Sequence, residues 1–148
     1  MLFDVFTVEE RVGQLLRLAL RSTGLRPVEY GVLSLLATVG PATPSEISRA
    51  TGQPASTMSG HLATLTRRGL IRREPAPVDG RSALLVLTDH GRRLHAEAVE
   101  RVRRHTTRLR AELPMPLDEV RAVLHGLADA LDRTIAAGGG AASADPQR

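Results

Sequence analysis

Asp79-Gly80-Arg81 sets a carboxylate and a guanidinium two residues apart across an Asp-Gly pair, a strong two-residue turn signal. Neither group makes or breaks a bond in such a place; what the pair can do is hold an anion. The carboxylate fixes the guanidinium through a charge-assisted hydrogen bond, so less side-chain freedom is lost on binding. Bond-making chemistry is absent elsewhere in the sequence. No nucleophile motif, glycine-rich phosphate loop or paired acid constellation occurs, so an enzyme is not expected. The chain has no cysteine, which removes disulfides, thiolate metal sites and thiol redox chemistry together. Its histidines include no i, i+4 pair, and neither His90 with His95 nor His95 with Glu97 makes a convincing ligand set. No metal and no cofactor are expected.

How large an anion the arginine could meet depends on the charge around it. All 20 basic residues are arginine, a bias that genome composition explains as readily as function does. Their distribution says more. Between His61 and Arg110 twelve arginines face five acids, a net of +7, while from Ala111 onward three face six, a net of −3. Such one-sidedness is a candidate polyanion footprint, to which a solvated helix face can contribute. No apolar run approaches the ~20 residues of a membrane span, and no signal peptide is visible. A cytoplasmic protein of one domain with helical extensions is expected.

The elements that must position these residues follow from periodicity and punctuation. Val8, Val12, Leu15, Leu16 and Ala19 share a helical spacing over residues 7–22, with Leu2, Phe3, Val5 and Phe6 ahead of them on the same helix or on an apolar arm. Pro27 suits the first position of a second helix, whose buried stripe is predicted as Tyr30, Leu33, Leu36 and Ala37. Thr43-Pro44-Ser45-Glu46 is a capping box that opens a short third helix, and Gly52 fits its left-handed end. A fourth helix starts with Pro54 and runs to about Arg68, before Gly69. Two helices joined by a tight glycine turn make a helix-turn-helix.

The fourth helix sorts into two faces. Met58, Leu62 and Leu65 point to a core; Ala55, Ser56, Ser59, Gly60 and Ala63 lie opposite, followed by Arg67. That outward face suits either a plain surface helix or one narrow enough to enter a major groove. Residues 70–73 and 83–87 read as two short strands around a turn, and a helix-turn-helix followed by a hairpin is a winged helix. Thr88 caps a long helix with Leu94, Ala98, Val102, Leu109 and Leu113 on one stripe and Arg101, Arg103, Arg104, Arg108 and Arg110 on the other. In the last helix Leu117, Val120, Leu124, Leu127, Leu131 and Ile135 keep nearly the spacing of a coiled-coil seam. From Gly138 the sequence is low in complexity and predicted to be disordered. The expected fold is mainly α with a small β-hairpin wing: helix 1–24, winged helix-turn-helix 25–93, helices 94–137 and tail 138–148.

Five pieces in order carry a family resemblance: Leu25-Arg26-Pro27-Val28-Glu29-Tyr30, Ser56-Thr57-Met58-Ser59, Leu65 to Ile71, Asp79-Gly80-Arg81, and Leu87-Thr88-Asp89-His90-Gly91. Together they resemble the MarR family of bacterial winged-helix transcriptional regulators. The resemblance implies a homodimer clasped by its first, fifth and sixth helices, here through Val12, Leu15, Leu117, Val120, Leu124, Leu127 and Leu131. It implies a repressor whose two winged helices read a palindromic double-stranded DNA operator. A small, often aromatic, effector would sit in a pocket lined from the first, second and fifth helices. Arg81 becomes the minor-groove reader and Asp79 its orienting partner, which agrees with the attraction of a narrow minor groove for arginine. Ser45, Ala55, Ser56, Thr57, Ser59, Gly60, Arg67, Arg72 and Arg73 complete the expected DNA contacts, with Arg92 and Arg93 as further phosphate candidates. The family often carries a basic residue where Gly60 stands. A winged helix that binds protein instead of DNA is the alternative.

Overall fold

The molecule, a computed structural model, is described over residues 1–75 and 83–141, the last three by backbone alone. Its order is α1 (Leu2–Leu20), α2 (Pro27–Val39), α3 (Pro44–Thr51), α4 (Ala55–Arg67), β1 (Ile71–Pro75), β2 (Ala83–Leu87), α5 (Asp89–Glu112) and α6 (Leu117–Ala141). The chain divides into two compact units, Met1–Thr106 and Thr107–Arg148. The mainly helical fold with one hairpin is the winged helix expected.

Local signals set most boundaries of the first unit. Pro27 is the first residue of α2. Thr43 accepts from the Glu46 N–H at 3.3 Å while the Glu46 carboxylate accepts from the Thr43 N–H at 2.7 Å. That backbone N–H, with the Thr43 hydroxyl, holds the Glu46 carboxyl below its ordinary range. Gly52 closes α3 at φ +65°, where a side chain would be strained. Pro54 caps α4 rather than starting it, and the two leading apolar pairs, Leu2-Phe3 and Val5-Phe6, extend α1 itself.

The core gathers Leu20, Val32, Leu33, Leu36, Ile47, Met58, Leu62, Leu65, Leu70, Ile71, Leu85 and Leu87. In α2 the buried stripe is Val32, Leu33 and Leu36; Tyr30 is half-buried and Ala37 is exposed, one helical step from where spacing placed it. The reason is that α2 is covered by α1, α3, α4 and β2 at once, so a single-face pattern misjudges it. β1 and β2 pair antiparallel from Ile71↔Leu87 to Pro75↔Ala83. Ala42 joins the far edge of β2 by two hydrogen bonds to Leu85, of 2.8 and 3.2 Å. The hairpin is therefore clamped between α4 and the loop before α3.

Thr88 does more than cap α5. Its hydroxyl accepts from the Gly91 N–H at 3.0 Å and donates to the Gly69 carbonyl at 2.6 Å, and its N–H donates to the Leu70 carbonyl at 3.1 Å. α5 thus starts against the end of α4. A Cβ on Gly91 would sit 2.0 Å from the Leu70 oxygen, so only glycine fits there. Farther along α5, Ala98 is buried and Leu94 and Val102 pack against the core, while Leu109 is exposed and takes no part in it.

In the second unit α6 runs through Gly138 to Ala141 instead of stopping at Gly138. Glycine costs about 1 kcal/mol per helical position, and an established helix propagates past such a cost far more easily than one is nucleated. Leu117, Val120 and Leu127 are half-buried; Leu124, Leu131 and Ile135 are exposed. None of the described residues of α6 is buried.

Candidate nucleic-acid interface

The fourth helix is anchored by its inner face and bare on its outer one. Met58, Leu62 and Leu65 are buried, whereas Ala55, Ser56, Thr57, Ser59, Gly60, Ala63 and Arg67 are exposed. Arg67 carries the only charge on that outer face. A helix so trimmed is slim enough to enter a groove, and its hydroxyls can both donate and accept.

Two recesses flank it. The first is lined by Pro44, Ser45, Ser48, Ala55, Met58, Ser59, Leu62 and Arg73, which brings four expected contacts, Ser45, Ala55, Ser59 and Arg73, to one place. Among the described residues Arg73 has no ion-pair partner. The second recess is lined by Arg26, Glu29, Thr57, Gly60, His61, Thr64, Arg67 and Arg68 with Gly24, and gathers Thr57, Gly60 and Arg67. Ser56 is exposed and borders neither. Ser48, Arg26 and Thr64 were missed from sequence. Thr64 follows Thr57 and Gly60 at helical spacing and was legible there; Arg26 and Ser48 reach the site only through space.

Arg72 is exposed but forms an ion pair with Glu74, two residues on along β1. Arg92 stands 3.5 Å from Asp89 at the start of α5. Asp79 and Arg81, the pair with the sharpest expected role, lie outside the described residues.

The basic stretch of α5 is matched in part within the helix. Arg101 bonds Glu97 at 2.8 Å, and Glu100 receives Arg103 at 2.8 Å and Arg104 at 3.1 Å. The hydrogen bonds from Arg103, then Arg104, pull the Glu100 carboxyl down to about 2 and raise Arg103. Arg93, Arg108 and Arg110 of α5 have no ion-pair partner among the described residues, and neither do Arg67 and Arg73 beside α4. Three of the five histidines make contacts within the fold. His95 bonds the Ser34 hydroxyl at 3.0 Å and stacks on Tyr30, His61 stands 3.9 Å from Glu29, and His105 bonds the Arg101 carbonyl. Among the described residues no cluster of acids and histidines is arranged to hold a metal ion.

One recess lies between the end of α1 and α5, lined by Leu18, Ala19, Arg21, Ser22, Arg101, Arg104 and His105, and an apolar groove lies between α2 and the end of α3, lined by Val28, Gly31, Ser34, Leu35, Thr38 and Val39 with Thr51 and Gln53. No helix among the described residues is long and apolar enough to cross a membrane.

A family model described as the MarR family matches residues 23–82. No curated protein matches the chain. Among solved structures, the transcriptional repressor CouR bound to a 23-mer DNA duplex is 30% identical, with a TM-score of 0.78 over 88% of this chain and 92% of that one. Reduced AbfR bound to DNA is 25% identical, with a TM-score of 0.74 over 90% of each chain. Wild-type MarR from Escherichia coli, without ligand, shares the fold at 22% identity and a TM-score of 0.72, over 88% of this chain and 96% of that one. A helix-turn-helix with a bare outer face, a clamped hairpin and an end-to-end match to a DNA-bound repressor lead to one conclusion: the chain belongs to the MarR family of transcriptional regulators, and it is not an enzyme.

Proposed function

We propose that the protein is a repressor that binds a palindromic operator as a homodimer. The observation that carries this is the outer face of α4, free of side-chain bulk and flanked by recesses that collect Ser45, Ser59 and Arg73 on one side and Thr57 and Arg67 on the other. In this reading α4 enters the major groove, its hydroxyls meet base edges, and Arg67, Arg73 and the helix-capping end of α3 at Ser45 meet the backbone phosphates. Arg72 contributes where a phosphate displaces Glu74. Arg81, aimed by Asp79, reaches the minor groove at the flank.

The dimer is supported by apolar surface that the single chain leaves uncovered. Phe3, Phe6, Val8, Val12 and Leu18 on α1 and Val123, Leu124, Leu131 and Ile135 on α6 are all exposed. Apolar surface left exposed on each helix marks an interface. Leu15 on α1 and Leu117, Val120 and Leu127 on α6, each half-buried, belong to the same proposed clasp. Two half-sites one helical turn apart then multiply the few contacts of each winged helix. A small aromatic effector that releases the DNA belongs to the same proposal, with the α2–α3 groove as the first place to look for it. The DNA partner makes the cytoplasm the place of action.

Selection of binding sites from random DNA tests the core of the proposal, since it returns affinity, palindromy and half-site spacing together. A dimer that neutralises several phosphates per half-site gives a log–log salt slope steeper than about −4. A flat salt response overturns it and favours a winged helix that binds protein.

A further inference from the structure

Arg67 and Arg68 are neighbours at the end of α4, yet they are not equivalent. Arg67 is exposed and donates only to Thr64, at 3.3 Å. The side chain of Arg68 is 31% exposed and lines the same recess as Thr57, Gly60 and Arg67, but its guanidinium is taken up by other partners. It donates to the Gly24 carbonyl at 2.9 Å and the Thr23 carbonyl at 3.3 Å, and lies 3.5 Å from the Glu29 carboxylate.

Glu29 is buried, at 3% exposure, which is costly for a carboxylate unless it is well partnered. Its partners come from two elements. The Arg26 N–H at the start of α2 donates to it at 3.0 Å, Arg68 reaches it from the end of α4, and His61 stands 3.9 Å away from the middle of α4. The turn they grip is itself fixed. The Thr23 hydroxyl donates to the Leu20 carbonyl at 2.7 Å and accepts from the Leu25 N–H at 3.2 Å, and Gly24 sits at φ +64°.

We propose that Arg68 and Glu29 are positioning residues, a latch that sets the pose of the recognition helix against the end of α1. This rests on the proposed function above. The outer face of α4 reads with short hydroxyls, Ser56, Thr57 and Ser59, which cannot stretch to correct a misplaced backbone as a long arginine can. A helix equipped this way depends on where its axis is held. The latch holds it to the α1–α2 turn, and α1 carries the exposed apolar stripe offered to the second copy. Half-site spacing, set by the two copies, is thereby passed to α4 through named bonds. Arg68 itself touches no phosphate.

The test uses the full-length protein and the operator obtained by selection with the parent. Arg68→Ala would leave Glu29 buried without its cation, so the working variants are the double Glu29→Gln/Arg68→Gln and the conservative Arg68→Lys, each checked for folding by its melting curve. We expect the double variant to bind the operator roughly tenfold more weakly. Its salt slope and its affinity for random-sequence DNA should match the parent. Its preference for the native half-site spacing over an operator lengthened by one base pair should be lost. Arg68→Lys, which keeps the charge but not the planar fork, should show the same loss of spacing preference in part. A slope reduced by about 0.9 per subunit makes Arg68 a phosphate ligand and overturns the latch. Unaltered affinity and spacing preference in folded protein make the pair merely structural and overturn it too. If the double variant does not fold, Arg68→Lys alone decides between these outcomes. A parent that selects no DNA sequence refutes the proposed function itself, a result distinct from either.

Discussion

Among the described residues every buried apolar side chain, from Ala19 to Ala98, belongs to the first unit, whereas the leucine stripe of α6 in the second buries none. The charged residues divide in the same way. The first unit buries Glu29 beside the Arg26 N–H and the Arg68 guanidinium, while the described acids and arginines of the second are exposed. One unit closes on itself; the other is built to be closed by something else. A stripe of similar apolar composition is thus a core in one place and uncovered surface in the other, and what separates them is the number of neighbouring elements.

If the first unit is closed so tightly, its tightest point should tolerate least. Gly91→Ala would drive a Cβ into the Leu70 backbone, which cannot rotate aside as a side chain can. We expect a loss of about 3 kcal/mol of stability in urea unfolding. A loss below about 1 kcal/mol would show that α5 does not start against the end of α4 as described. The second unit should answer differently. Leu124→Glu should leave helix content intact yet weaken self-association on the order of 100-fold, read by sedimentation, since a carboxylate would be buried unpaired in the seam. Dimers that persist undiminished would move the clasp away from α6.

Signals confined to a few residues were legible in the sequence. The Thr43–Glu46 box, the Gly52 turn, the three-residue stripe of α4 and the Thr88 cap are each written within a span of eight residues and appear where spacing put them. Facts that depend on partners distant in sequence were not. Glu29 reads as an ordinary acid in the first turn of a helix, and nothing local says that Arg68 will cover it. The Ala42–Leu85 bridge, the contribution of Arg26 and the exposure of Ala37 have the same origin, because each is decided by what packs alongside. The arginine-rich run of α5 misleads for the opposite reason. Its glutamates stand at helical spacing, so the pairing of Arg101, Arg103 and Arg104 was readable, whereas a net count does not say which arginines are paired.

That last point sharpens the comparison of the two arginine sets. Arg104 gives its charge to Glu100, while Arg73 has no ion-pair partner among the described residues and lies beside Ser45 and Ser59. Arg73→Ala should lower operator affinity severalfold and reduce the salt slope by about 0.9 per subunit. Arg104→Ala should leave the slope unaltered. Equal effects from both would mean that pairing on α5 does not withhold its charge from DNA.

The smallest expected effect concerns the contact between α2 and α5. His95 packs on Tyr30 and bonds the Ser34 hydroxyl, and burial holds its pKa below the ordinary 6.5. As pH falls through 6.5 the unfolded chain takes up this proton first. The contribution of His95 is therefore complete above that value and shrinks as acid drives the pH toward the lower, folded pKa. Urea unfolding of the parent and of His95→Gln from about pH 7.5 to about pH 5.5 isolates it, because the carboxylates are common to both proteins. The stability advantage of the parent should narrow as the pH drops. A constant difference would place His95 in water, and the α2–α5 contact would then rest on Leu94, Ala98 and Val102 alone.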